Sequence, residues 1–380
     1  MVTSRSSRTL IGCTAVLLAV VAGCTKSQRN SSGSSSSPAG AGGSSSSSAP
    51  VGNSSSATGG GQQTVAPTGG AKGAGCTFTQ YGVPKLDLKS ITVGFSQSES
   101  TSNPFRATET KSIASEAQSL GVKLIQRNAN ADVNAQNSQI QQMIAQGAKA
   151  LIVAPENSDG LKPALAAAKA KKIPVLTIDR TAAGTQCKDF IAFIGSNFFH
   201  QAEIAADDLA AATGGKGQVA MLLGTSGNNV TTDRTNGFVS ELGKKAPNLK
   251  IVAKQTGNFA QDQGQKVMEQ LLQSKPGISA VYAENDEMAF GAIQAIRSAG
   301  KTPGKDIKIV SIDGTKQAAQ YVAQGLLYSD IETNPRFGPL AFGSLRDFYS
   351  GKGVPAKVII ADHHYTKDNA AKALSSGQVY

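Results

Sequence analysis

The chain has 380 residues, 39% hydrophobic and 17% charged, with 13 Phe and no Trp, and this length leaves room for more than one compact domain. Its formal charge is +11, yet Lys and Arg are scattered, with no long basic block and no aromatic interleaving. That excludes a nucleic-acid footprint and leaves a solvated basic surface.

Residues 1–23 combine Arg5 and Arg8 with an apolar run from Leu10 to Ala22, too short to span a bilayer comfortably and suited to a secretory signal. The run closes on Val21-Ala22-Gly23-Cys24, which resembles a bacterial lipobox. The resemblance implies cleavage before Cys24 and its diacylation, giving an anchored rather than a spanning protein. Residues 24–75 are mostly Ser, Gly, Ala and Thr, unable to bury enough surface to offset the entropy of ordering. They read as a disordered tether with a random-coil span of about 40 Å. Of the four cysteines, Cys13 leaves with the signal and Cys24 takes lipid. Cys76 and Cys187 then either pair in an oxidising compartment or stay as two thiols.

From Ile91 onward short β-like runs alternate with longer helical stretches, the signature of a parallel α/β architecture. Strands are expected at 91–95, 122–126, 150–154, 175–178 and 190–194, with helices at 105–120, 134–146 and 159–171 between them. Gly121, Gly147 and Pro174 punctuate the helix ends. A similar series follows, with helices at 198–212, 231–245, 261–273, 287–299 and 315–323. Its strands are expected at 218–223, 251–254, 280–283, 308–312 and 326–331. A helix at 335–349 and a run at 358–360 have no sheet of their own and are expected to pack back on the first lobe. The expected fold class is thus α/β, two doubly wound parallel-sheet lobes joined by a multi-strand hinge. The boundaries are 76–195 with 333–358 for the first lobe and 196–332 with 359–380 for the second.

Three of the apolar runs stop on polar groups: Asp179-Arg180, Glu284-Asn285-Asp286 and Asp313-Gly314. In open parallel sheets, ligands bind outside the carboxyl ends of the strands, so these residues point to a crevice for a polar small molecule. No metal site is expected, because His363 and His364 are adjacent and His200 is isolated. No Gly-x-Ser-x-Gly elbow and no dinucleotide or P-loop fingerprint follows a strand. The polar set offers no activated nucleophile, so neither a cofactor nor enzymatic activity is expected. Arg and carboxylate side chains do offer directional, charge-assisted hydrogen bonds of the kind that paired sugar hydroxyls take.

Seven stretches now stand in order: Val93-Gly-Phe-Ser-Gln97, Asn103-Pro-Phe-Arg106, Ile178-Asp-Arg180, Asp233-Arg-Thr-Asn-Gly-Phe238, Asn258-Phe259, Glu284-Asn-Asp-Glu-Met288 and Ser311-Ile-Asp-Gly314. From Ile91 to the C-terminus, the chain resembles the ribose and galactofuranose branch of periplasmic sugar-binding proteins that feed ABC importers. The resemblance implies that Phe105 and Phe259 sandwich a sugar ring. It also implies that Asn103, Asp179 and Arg180 bind hydroxyls from the first lobe and Arg234, Asn285 and Asp313 from the second. Glu332 stands where ribose binders use a glutamine, and Arg106 stands where they use a second aromatic and resembles the galactofuranose type. These departures favour a hexose over ribose. Glu99 is a further candidate for the set, in a loop (98–103) whose length departs from the galactofuranose pattern.

Each residue also has a plainer reading. Asn285 suits a helix N-cap and Asp313-Gly314 a turn, while Phe105 and Phe259 suit a core. The expectation is a monomeric, lipid-anchored solute-binding protein on the extracytoplasmic face of the cell membrane, closing on a monosaccharide and delivering it to an ABC permease. The alternative is a sensor that presents its ligand to a membrane receptor kinase. The lipobox-like motif and the lack of an N-terminal helix-turn-helix argue against a transcriptional regulator of similar fold.

Overall fold

Strands that are apolar on both faces need helices on both sides, and that requirement organises the molecule. The computed structural model describes residues 67–70, as backbone, and 75–380. The expected signal stretch, the lipidation site Cys24 and most of the tether lie outside the described residues.

The first lobe opens with β1 (Pro67–Gly70) and α1 (Phe78–Tyr81). It then alternates β2 (Thr92–Gln97), α2 (Pro104–Leu120), β3 (Lys123–Asn128), α3 (Val133–Ala145), β4 (Ala148–Val153), α4 (Lys162–Ala170), β5 (Val175–Ile178) and β6 (Phe193–Gly195). The second lobe holds α5 (Phe198–Thr213), β7 (Lys216–Leu223), α6 (Asn229–Lys245), β8 (Asn248–Thr256), α7 (Gln261–Ser274) and β9 (Ala280–Ala283). It continues through α8 (Asp286–Ser298), β10 (Lys308–Asp313), α9 (Lys316–Ala323) and β11 (Ser329–Glu332). The chain returns to the first lobe for α10 (Gly338–Ser350) and β12 (Lys357–Ile360), then crosses again to β13 (His364–Thr366) and α11 (Ala370–Ser376).

The first sheet runs β1-β12-β6-β5-β4-β2-β3 and the second β13-β11-β10-β9-β7-β8. All pairings are parallel except those of β1 with β12 and β13 with β11. This is the doubly wound two-lobe α/β class. On the first sheet, Val93, Phe95, Ile152 and Ile178 pack with Ile113 of α2 and Phe342 and Phe348 of α10. Leu151, Val153 and Val175 pack with Ile140, Met143 and Leu165 of α3 and α4. Successive strand residues thus serve opposite faces. In the second lobe Val219 and Met221 meet α5 and α6, while Ala220 and Leu222 join the cluster that includes Met268 and Ile293 of α7 and α8.

Several expected boundaries move. Residues 67–70, read as tether, form a strand because the open edge of β12 offers unpaired backbone groups. The final crossing follows Ile360, two residues after the expected boundary, because Ile359 still pairs with Gly195 in the first sheet. Strand β11 starts at Ser329 rather than 326, after a turn at Gly325 with φ +76°. Helices α1 and α11 and strand β13 are too short to leave a periodic pattern. Cys76 and Cys187 form a disulfide across 111 residues of sequence, closing the start of the first lobe onto the loop before β6.

Candidate functional site

In each sheet the chain reverses its winding direction beside the first strand: β2 lies between β3 and β4, and β7 between β8 and β9. Such switch points leave a crevice at the carboxyl ends of the strands. A small cavity of about 30 Å³ lies there, walled by both lobes. Glu99, Asn103, Phe105, Arg106, Asp179 and Arg180 border it from the first lobe, and Val230, Arg234, Phe259, Asn285, Asp313 and Thr333 from the second.

The first-lobe wall is a charge lattice. Arg106 donates through Nε to Glu99 (2.9 Å) and through Nη1 to Asp179 (2.7 Å) and Glu109 (2.9 Å). Arg180 donates through Nη2 to the other oxygen of Glu99 (2.6 Å) and through Nη1 to Glu156 (3.2 Å). Glu99 therefore bridges two guanidinium groups. Burial pushes its pKa up, but attraction to Arg180 and Arg106 outweighs this and holds it at about 2. Glu156 and Glu109 go the other way, each raised to about 7 by burial that their Arg partners only partly offset.

The second-lobe wall centres on Arg234, one turn after Val230 on α6. Its Nη1 donates to the carbonyl of Glu284, and its Nη2 to Thr333 Oγ1 (2.6 Å) and Asp313 Oδ1 (3.1 Å). Burial raises Asp313 to about 7, with Arg234 pulling against it. The Nε groups of Arg180 and Arg234 are buried with no hydrogen-bond partner among the described residues. Such a donor costs roughly 1–3 kcal/mol when left unmet.

Local backbone features aim these groups. Asn103 caps α2, its Oδ1 accepting from the amides of Phe105 (2.9 Å) and Arg106 (3.3 Å). Asn285 caps α8 through the amide of Met288 (3.0 Å), and its Nδ2 donates to the carbonyl of Phe259 (3.2 Å). The plain capping role and the place in the wall coexist in both residues. Asp179 and Phe259 adopt left-handed φ values of 60° and 57°, a conformation worth about 1–2 kcal/mol of strain for a side-chain-bearing residue. The Phe259 ring lies against Gly224, where a methyl group would fall 1.9 Å from the ring. The guanidinium of Arg180 sits 5.5 Å from the centre of the Phe259 ring. Phe105 meets Phe337 and Tyr380 edge-on.

Nine of the ten residues singled out as ligand contacts border the cavity, as does Glu99. Glu332 does not: its carboxylate is buried against His363 and accepts from the His363 amide (3.2 Å). At the end of β11 successive side chains point to opposite sides, so Thr333 takes the cavity position and Glu332 the far one. That alternation is the signal that could have found Thr333. Val230 was legible only through its i, i+4 relation to Arg234.

The lobes also touch directly beside the cavity. The Ser158 amide donates to the Gly227 carbonyl (3.0 Å), and the Thr181 amide to Asn229 Oδ1 (2.9 Å). The structure is therefore in a closed form.

Residues 93–340 match the periplasmic binding protein domain family. The galactofuranose-binding protein YtfQ of Escherichia coli is 34% identical, over 75% of this chain and 90% of its own length. The ribose import binding protein RbsB of Bacillus subtilis is 36% identical, over 70% of this chain and 84% of its own. A crystal structure of a Mycobacterium smegmatis protein in complex with β-D-fucofuranose superposes with a TM-score of 0.72 at 36% identity, covering 76% of this chain and 95% of that one.

Proposed function

This chain belongs to the periplasmic binding protein family, its relatives are binding proteins rather than enzymes, and from that premise we propose that it binds one neutral monosaccharide between its lobes for an ABC importer. The observation that carries the reading is the wall itself, in which three buried guanidinium groups, each already tied to acceptors, face one cavity from both lobes. The charges are largely compensated within the protein, so the net demand is for hydroxyl groups that donate to carboxylates and accept from N–H. The buried Nε donors of Arg180 and Arg234 add two places where a ligand oxygen would relieve a desolvation cost.

A hexose, galactofuranose-like, is favoured over ribose. Arg106 brings hydrogen-bonding capacity to a position where an aromatic would bring only surface, and relatives whose names or titles specify galactofuranose and β-D-fucofuranose are among the similar proteins. Phe105 and Phe259 supply the apolar faces of the ring contact. Because contacts come from both lobes, the ligand binds the closed form better than the open one and shifts the population toward closure. Cys24 carries a diacylglycerol that anchors the chain, and the permease receives the sugar from the closed form.

A thermal-shift screen of the unacylated chain against pentoses, hexoses in furanose and pyranose form, polyols and amino acids tests this. A ligand well above its dissociation constant raises the melting temperature, because it stabilises only the folded state. One sugar is expected to do so, with the shift lost in Arg180→Ala and Asp313→Ala. A folded, ligand-free protein that responds to no sugar would sink the proposal. Binding without an uptake defect on deletion of the gene would favour the sensor.

A further inference from the structure

We propose that the amino-end face of the first lobe, opposite the cavity, is a docking surface for the anionic phospholipids of a membrane. In a parallel sheet all strands begin on one side, and here that side carries a row of lysines. Lys89 precedes β2, Lys123 begins β3 opposite Thr92, Lys149 is the second residue of β4, and Lys171 and Lys172 lead into β5. Leu151 pairs with Val175, so Lys149 and Lys172 sit at neighbouring strand starts. All of these and Lys85 are exposed, and among the described residues none of them has a carboxylate within ion-pair distance.

Beside the row lies a second, independent feature. A groove of about 400 Å³ is floored by Leu86, Leu120, Val122 and Phe342 and rimmed by Lys85, Lys89 and Arg346. Its wall residue Tyr349 donates its hydroxyl to the carbonyl of Lys149 (3.3 Å), so groove and lysine row are one continuous surface. The single carboxylate in the groove, Asp87, is engaged by the amide of Lys89 (3.1 Å). An apolar floor inside a basic rim matches an acyl chain beneath a negative headgroup. Clusters of roughly four to eight Lys and Arg beside a bilayer are attracted to anionic lipid within about a Debye length.

The occupant is membrane lipid rather than a nucleic acid, because among the described residues the exposed aromatics Phe199 and Tyr328 both belong to the second lobe and leave none on this face to stack a base. Docking here leaves the cleft between the lobes uncovered. The inference stands apart from the sugar reading and from acylation, and its test uses neither.

The test is co-sedimentation of the mature chain carrying Cys24→Ser, hence without acyl groups, with vesicles of phosphatidylcholine alone or mixed with phosphatidylglycerol. Binding is expected to the mixed vesicles only and to fade at high salt. The combined variant Lys89→Gln, Lys123→Gln, Lys149→Gln, Lys172→Gln is expected to weaken it on the order of tenfold or more. The matched variant Lys250→Gln, Lys254→Gln, Lys275→Gln, Lys305→Gln, with the same loss of net charge but on the second lobe, is expected to bind as the parent does. Leu86→Ser is expected to weaken vesicle binding at unchanged charge. Equal loss in both lysine variants, or no preference for phosphatidylglycerol, overturns the proposal. Binding of soluble polyphosphate as tight as that of vesicles overturns the membrane in favour of a polyanion.

Discussion

Asp313 shows how one residue ties the site to pH. Burial raises its pKa to about 7, against the pull of Arg234, so the folded, ligand-free protein takes up a proton there at a pH where an unfolded chain would not. A raised carboxyl pKa means that the native state binds more protons in the window between the ordinary carboxylate range and about 7. Ligand-free stability should therefore rise as pH falls through that window. Glu156 and Glu109 act in the same direction. Glu99, held at about 2, contributes stability that is present above the ordinary carboxylate range and lost only as pH falls below it. Sugar binding has the opposite slope, since a hydroxyl donates best to an ionised Asp313. The sugar-induced thermal shift is expected to shrink as pH drops below about 7, and Asp313→Asn should weaken binding and flatten this profile. Melting curves across pH, with and without sugar, check both slopes. A sugar-induced shift independent of pH in the parent would remove Asp313 from the ligand contacts.

At the scale of elements, the site is assembled from helix starts and strand ends. Asn103 opens α2 and Asn285 opens α8, each satisfying backbone amides that would otherwise lack partners. Capping alone would make Asn103 a stability residue; its place in the cavity wall makes it a candidate ligand contact as well. The two roles separate by substitution. Asn103→Ala is expected to cost about 1 kcal/mol of stability and to weaken sugar binding. Asn103→Ser restores the cap but not the amide, so stability should recover while affinity stays low. Chemical denaturation and calorimetric titration of the same variants decide this. Recovery of both would leave Asn103 as a cap only.

Residues 75–380 form a pair of lobes joined by crossings after β6, β11 and β12. Asp362, in the last crossing, accepts from Ser196 Oγ (2.9 Å) and Gln201 Nε2 (2.8 Å) at the first and from the Asn334 amide (3.4 Å) at the second. All three crossings are thus held at one point. Away from it, the Ser158–Gly227 and Thr181–Asn229 hydrogen bonds join the lobes directly. Gly227 permits the approach, since a methyl group there would fall 2.1 Å from Asn157. Asn229→Ala removes one of these contacts; its side chain bonds Thr181 and Asp233, neither of which borders the cavity. It is expected to enlarge the radius of gyration of the ligand-free protein in solution scattering and to weaken sugar binding several-fold, because more of the binding energy goes into closure. Unchanged scattering and affinity would show that the contact adds nothing to the closed state.

The amino-acid sequence by itself determined the alternation of strands and helices, and with it the two-lobe class, because apolar period and helix punctuation are local properties. It also placed the polar strand ends, since in a parallel sheet the carboxyl end of every core strand opens on the same crevice. Asp179, Arg180, Asn285 and Asp313 were legible for that reason, and the ordered resemblance added Asn103, Phe105, Arg106, Arg234 and Phe259. Only the tertiary structure decided which side of β11 faces the cavity, replacing Glu332 with Thr333, because a one-residue change of phase in a strand reverses every side chain. It likewise revealed Glu109 and Glu156 as partners of the two arginines. Glu156 reaches Arg180 from a loop 24 residues away in sequence, which no local pattern records, whereas Glu109 stands three residues from Arg106 on α2, a helical spacing that could have paired the two charges.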